Sequence, residues 1–321
     1  MPEAIWKEQD MIDGKRVDAM VAILRTTGCW WSRSKGCTMC GYNLSSMDSI
    51  TGDDLLSQLE AVAERYGDEA FVKVYTSGSF LDPNEVPMDV RERVYSMFKG
   101  AGRLLVESRP EFVTPENLED APSNLCMALG MESSSDVVLS TMVRKGFTVA
   151  DHLRAVDVLQ KRGIPIRNYL LLKPMYMSEM EAMEDVLASV RFCAHYSEDI
   201  SINPINVQKD TDVERLWRRG EYRPPYLWSL VEVLRQAKDV TDKRVFSSPS
   251  GGGSQRGVHN CGECDRKVLE AVERFSFSQD LGDLEGLDCP CRREWEMTAR
   301  MEDLIGTSVD VQRYLSDWTT Y

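Results

Sequence analysis

The sequence predicts an α/β protein built on a parallel sheet, open or barrel-like. Three observations point there. Short apolar runs recur between helical patterns, most of those runs are continuous rather than alternating, and polar motifs stand at their C-terminal ends. Continuous runs are expected of parallel strands covered on both faces. Strands that alternate with helices give such a sheet.

The expected strands are AMVAILRT (19–26), FVKVYT (71–76), GRLLVES (102–108), LCMALGM (125–131), IRNYLLLK (166–173) and DISINPIN (199–206). Between them, DDLLSQLEAVAERYG (53–67) carries its apolar residues at helical spacing. The helix expected over 151–163 ends at Gly163, a residue suited to closing a helix. The helix over 178–196 opens with Ser178 and Glu181, a capping box. The motifs TTGC, TSGSF, ESRPE, ESSSD, KP and NVQKD follow or end the successive strands. In parallel α/β folds chemistry gathers at that end, so these motifs are expected to converge on one mouth.

Bulk numbers narrow the class. The chain has 321 residues, 42% apolar and 28% charged, the balance of a soluble globular protein. It has no apolar run long enough to span a membrane, and its first residues lack the apolar segment of a secretory signal. A cytoplasmic protein is expected. Net charge is −14, so no overall basic footprint for nucleic acid exists. Any such ligand would be met by local basic residues or held by a partner.

Seven of the nine cysteines fall into two groups: Cys29, Cys37, Cys40, and Cys261, Cys264, Cys289, Cys291. Clustered cysteines in a cytosolic chain point to metal or redox chemistry. Cys126 and Cys193 stand alone in apolar surroundings and read as buried thiols. The first group directly follows the first strand. Three thiolates on a four-iron cluster leave one iron open, the mark of a reactive rather than a closed site. Zinc with a distant fourth ligand is the alternative. In the second group two tight pairs can close a tetrahedron, with His259 able to replace one thiol. Zinc is the first choice there and a second iron–sulfur cluster the rival.

With these motifs in order, the chain resembles the radical S-adenosylmethionine (radical SAM) enzymes. Their signature is a three-cysteine loop after the first strand of a partial (βα)6 barrel. The gap of seven residues between Cys29 and Cys37 departs from the commonest spacing, and Met39 replaces an aromatic residue. TSGSF stands where that family has its Gly-rich methionine-binding turn, without the usual glutamate. VESRPE and LGMESSSD, followed by VRKGFT, resemble the elongator-like branch. The resemblance implies a [4Fe-4S] cluster on Cys29, Cys37 and Cys40. It implies SAM bound by Ser77, Gly78, Ser79, Glu107, Arg109 and Glu132.

The segments INPINVQKDTDVERLWRRGEYRPPYLWSL (202–230) and GGGSQRGVHNCGECD (251–265) are similar to the archaeosine-forming radical SAM lyases (RaSEA). That family implies a substrate and partners: tRNA whose D-loop 7-deazaguanine carries lysine, a transglycosylase-like partner protein that attaches the lysine, and an electron donor. Its reaction breaks the lysine carbon–nitrogen bond and leaves archaeosine. A different radical SAM tRNA modifier of the elongator-like or methylthiolating type, and a non-catalytic zinc-stabilised scaffold, are the competing readings. The expected organisation is a barrel over 1–206, an Arg/aromatic helical extension with a Gly-rich loop over 207–257, and a C-terminal metal-binding module over 258–321. Asn206 and Gln208 are expected to face the substrate lysine, with Arg167, Asn168 and Lys173 as further candidates. Arg215, Arg218, Arg219 and Arg223, interleaved with Trp217, Tyr222, Tyr226 and Trp228, are the local candidates for touching tRNA, against an amphipathic helix that packs its aromatics inward.

Overall fold

The computed structural model describes residues 1–305. Eight strands form one sheet in chain order: β1 (Ala4–Ile12), β2 (Lys15–Ile23), β3 (Phe71–Tyr75), β4 (Arg103–Ser108), β5 (Leu125–Glu132), β6 (Ile166–Leu172), β7 (Asp199–Pro204) and β8 (Arg244–Phe246). β2 to β8 are parallel neighbours, whereas β1 and β2 are antiparallel. The six expected strands are β2 to β7, the core of a partial barrel.

β1 and β8 were not expected. β1 turns into β2 through Asp13-Gly14, both at positive φ (49° and 74°), the geometry of a two-residue hairpin loop. β8 is three residues long and pairs with β7.

Helices cover the outer face. α1 (Gly52–Ala63), α2 (Met88–Phe98) and α3 (Val149–Lys161) bury one side of β2 to β5. α4 (Glu179–Cys193), α6 (Leu227–Val240), α7 (Asp265–Ser278) and α8 (Cys291–Ile305) share a core with β6, β7 and β8; α5 is Asp212–Arg218. α4 opens with the expected capping box on Ser178 and Glu181. The segment expected as a C-terminal module therefore packs into the main core; its residues 306–321 lie outside the described residues. No helix among the described residues is long and apolar enough to cross a membrane. Cys193 lies in this outer core, and Cys126 lies on the inner side of the sheet with Ala19, Phe71, Leu105 and Ala128.

Below that inner apolar layer, at the N-terminal ends of the strands, the barrel is plugged by charge. Arg167 on β6 donates to both oxygens of Asp199 on β7 (2.8 and 2.6 Å) and to Asp10 on β1 (3.0 Å). Lys73 on β3 and Arg244 on β8 also reach Asp10, at 2.5 and 2.6 Å. Arg167 stacks between Phe71 and Phe246. Burial alone would raise the Asp10 carboxyl, but Arg167, Lys73 and Arg244 outweigh it and hold it well below the usual carboxylate range.

This placement corrects one expectation. Arg167 does not face the mouth; it sits 2% exposed at the opposite end, its guanidinium spent on two aspartates. Asn168 is turned to the outer side, where it donates to Ser197 Oγ.

Removing Asp10 would leave buried cations uncompensated. Asp10→Asn is expected to lower the unfolding free energy by about 3–5 kcal/mol, read as a fall in the urea midpoint.

Candidate active site at the barrel mouth

The first cysteine group lies at the C-terminal ends of the strands. Cys29 precedes a 3₁₀ turn (Trp30–Arg33), and Cys40 precedes another (Tyr42–Ser45). The loop is docked rather than loose. Thr38 N–H and Oγ1 donate to Val143 O and Met142 O, at 3.0 and 2.6 Å. Trp31 Nε1 donates to Arg144 O (2.9 Å), and Arg144 Nε to Gly36 O (2.8 Å). Gly146 lies flat under Trp31: a Cβ there would meet the indole at 2.5 Å. The partner segment is a π-helical turn (Val138–Val143) ended by Arg144 in the left-handed region. The three thiols are half-buried. Burial pushes Cys37 up and Cys40 up to about 11, and the neighbouring thiols add to both shifts. An isolated thiolate is disfavoured here. A cationic metal centre would reverse that.

The TSGSF turn presses against this loop. A Cβ on Gly78 would stand 2.6 Å from Cys29 Cα, so only glycine allows the approach. The turn is held by a glutamate from further along the chain. Glu85, 2% exposed, accepts from Ser79 N–H (2.6 Å) and Thr26 Oγ1 (2.7 Å). Ser79 Oγ in turn accepts from Arg109 N–H at 3.1 Å, linking the turns after β3 and β4.

Arg109 is 7% exposed, boxed by Trp30, Trp31 and Phe147. Its Nε donates to Glu111 and Nη1 to Lys145 O, while buried Nη2 has no partner among the described residues. A buried guanidinium nitrogen without an acceptor is costly and suits a ligand carboxylate. Glu132, at φ 66°, ends β5 and accepts from Lys145 Nζ at 2.6 Å. Burial alone would lower the Lys145 ammonium, but the Glu132 carboxylate and the Cys37 thiol together outweigh it and raise the pKa. Glu107 points into the barrel beside Tyr169, whose hydroxyl lies 3.4 Å from that of Tyr75. Burial lifts the Glu107 carboxyl to about 7.

Of the candidates for the substrate lysine, Gln208 lies at this mouth. Its Oε1 accepts from Gly41 N–H at 2.5 Å, and its side chain lies beside the Tyr42 hydroxyl. Asn206 lies against Gly251 of the Gly-rich loop. Lys173 is a second correction. It is 3% exposed and paired with the fully buried Glu179 on α4 at 2.6 Å, so its charge holds the turn after β6. Its carbonyl accepts from Tyr222. Sequence reasoning missed Lys145 and Glu85 as site residues. Lys145 lies within the quoted VRKGFT motif, while nothing periodic marks Glu85.

In the Arg/aromatic segment Tyr222 and Trp228 are buried. Arg256 lies over the ring of Trp217. Arg218 and Arg219 are exposed and paired with Glu214 and Glu221, and Arg215 with Asp212. Trp217 and Tyr226 are half-buried; Arg215, Arg218 and Arg219 face solvent, whereas half-buried Arg223 donates to His259 O at 2.9 Å.

The second cysteine group converges. All four Sγ atoms lie within 4.8 Å of one another, with contacts of 3.8 Å (Cys261–Cys264), 3.7 Å (Cys261–Cys289) and 3.6 Å (Cys264–Cys291). Trp228 Nε1 donates to Cys291 Sγ and Asn260 Nδ2 to Cys264 Sγ. His259 is instead bonded through Nδ1 to Gly257 O.

No family model matches the chain. Among solved structures, a radical SAM methyltransferase from Sphaerobacter thermophilus superposes with a TM-score of 0.51 at 14% identity, over 78% of this chain and 77% of its own. The queuine lyase from Clostridium spiroforme, bound to SAM and queuine, also gives 0.51, at 15% identity over 76% of this chain and 94% of its own. At those identities the likeness is one of fold. The fold is that of the radical SAM enzymes, with the cysteine loop at its mouth. Archaeosine synthase subunit beta of Methanosarcina acetivorans is 40% identical over 322 residues, covering 96% of this chain and 93% of the relative. The chain belongs to the archaeosine synthase subunit beta family.

The contact between Gly78 and Cys29 yields a direct test. Gly78→Ala forces the turn and the loop apart, and iron bound after anaerobic reconstitution is expected to fall by at least about half.

Proposed function

We propose that this chain is the radical-generating subunit that forms archaeosine by breaking the carbon–nitrogen bond of lysine attached to a 7-deazaguanine in tRNA. One observation carries the reading. Three half-buried thiols, a glycine turn packed on Cys29 and a buried guanidinium with a free nitrogen meet at one sheet end, in a chain 40% identical to an archaeosine synthase subunit.

Cys29, Cys37 and Cys40 would hold a [4Fe-4S] cluster. Backbone groups of Ser77, Gly78 and Ser79, with Arg109, Glu107 and Glu132, would hold SAM. When bound, cluster and SAM supply a 5′-deoxyadenosyl radical at the expense of one electron from an external donor. The chain's residues do the rest. Arg109 Nη2 supplies the donor that a bound carboxylate lacks. Lys145 keeps Glu132 oriented. Glu85 fixes the turn against Cys29. Gln208 and Asn206 orient the lysine, and the charge plug keeps water from entering at the other end. A subunit named beta supports a partner subunit, here a transglycosylase-like protein that attaches lysine and carries most of the RNA. Exposed Arg218 and Arg219 supply local phosphate contacts. A cytosolic setting follows from the substrate.

For the second group zinc is the reading. A tetrahedron with Zn–S bonds of about 2.3 Å has edges of about 3.8 Å. Three of the six sulfur pairs have that spacing, and all four sulfurs lie within 4.8 Å of one another. In a four-iron cluster each thiolate binds a different iron, which spreads the sulfurs further.

Reduced, reconstituted protein given SAM and lysine-modified tRNA is expected to yield 5′-deoxyadenosine and archaeosine, both read by mass spectrometry. Both products disappear in Cys29→Ala, Cys37→Ala and Cys40→Ala; archaeosine persisting in any of them would falsify the assignment. Metal analysis is expected to give about one zinc per chain. That zinc is retained in Cys29→Ala and lost in Cys261→Ser/Cys264→Ser. Iron at those positions would establish a second cluster instead.

A further inference from the structure

We propose that Tyr42 is a stacking platform for the substrate nucleobase, holding the tRNA base at the mouth while its lysine tail enters the barrel. The proposal rests on the lyase reading above.

The chemistry places the base close by. In the lysine-modified substrate the ring is joined to the reacting lysine carbon through the amidine alone, a separation of about 4 Å by ordinary bond lengths. The base must therefore reach the cysteine mouth with its tail. An enzyme that works this close to a base takes it out of its stack and offers another surface in return. An aromatic face serves that purpose for any base.

Tyr42 presents such a face. It lies two residues after Cys40, and the residue is 60% exposed. Its hydroxyl is nevertheless buried, on the side of Gln208, Glu107 and Cys40. The phenol end is therefore enclosed, while much of the residue is left to solvent. The backbone is fixed too. Gly41 N–H is held by Gln208, and a Cβ on Gly41 would stand 3.0 Å from Gln208 Cβ and Lys209 O. Downstream, Met47 N–H donates to Thr26 O at 3.0 Å. A rigid, amphipathic ring gives contact area at little entropic cost. Leu44 and Met47, also exposed, extend the apolar rim beside it. Trp30, the other exposed aromatic of the loop, is already committed: its indole N–H donates to Glu111 and Arg109 covers its ring.

The test is steady-state kinetics of archaeosine formation, with SAM binding and tRNA-independent 5′-deoxyadenosine production measured on the same preparations. Tyr42→Leu is expected to raise KM for the modified tRNA roughly tenfold, the scale of one lost base–aromatic stack. Its SAM affinity and iron content stay at wild-type values. Tyr42→Trp and Tyr42→Phe, which keep a ring, are expected to hold KM within about threefold of wild type. If Tyr42→Leu matches wild type in KM while wild type makes archaeosine, the platform is overturned and the lyase reading stands. A variant that weakens SAM binding and not tRNA binding overturns it as well, since the ring would then serve the cofactor. Should Tyr42→Leu lose iron, the ring-keeping variants decide, and a large KM increase in either at full iron content rejects the idea. Wild type that makes deoxyadenosine but no archaeosine from this tRNA brings down the lyase reading, and the platform with it.

Discussion

The charge plug at the base of the barrel is the constraint on which the rest depends. Asp10 and Asp199 are shared among Arg167, Lys73 and Arg244, so β1, β3, β6, β7 and β8 are tied together from inside. An apolar filling would hold the strands as well, because a buried ion pair costs desolvation that its attraction only offsets. What charges add is specificity. A carboxylate that must meet particular cations fixes strand register, since a slip of one residue would turn it to the other face. The cysteines lie at the other end of the strands.

At that end the site is assembled by docking one irregular segment on another. The cysteine loop has only two short 3₁₀ turns, so its shape comes from what it touches. Thr38, Trp31 and Gly36 fasten it to residues 142–146, and Gly41 fastens it to Gln208. Gly78 and Gly146 permit these approaches by lacking side chains. Lys145 is central because it lies between the docked loop and Glu132. It serves the geometry on one side and the electrostatics on the other.

How far this was legible follows from the physics of each part. The strands β2 to β7 were readable because two-sided burial writes continuous apolar runs, and the helix caps because Ser178 and Glu181 are local. β1 was hidden for an instructive reason. Its inward position is Asp10, so a buried face reads as a polar one, and the Asp13-Gly14 turn signal went unused. β8 is too short for periodicity. Among the candidate residues, Arg167 and Lys173 were placed by strand number alone. Which end of a strand a residue occupies, and whether a partner such as Glu179 has already claimed its charge, depends on segments far away in the chain. Glu85 was invisible for the same reason: it bonds a turn to which it does not belong in sequence.

The bond between Gly41 and Gln208 has a bearing on the order in which the molecule is made. The residue that steadies Cys40 lies 167 positions downstream. Gln208 in turn follows Val207, which exchanges hydrogen bonds with Arg256 just ahead of the second cysteine group. Contacts of such separation close late, because the intervening chain must first be ordered. A chain stalled before residue 256 would carry all three mouth cysteines without the bonds that tie Val207 to Arg256.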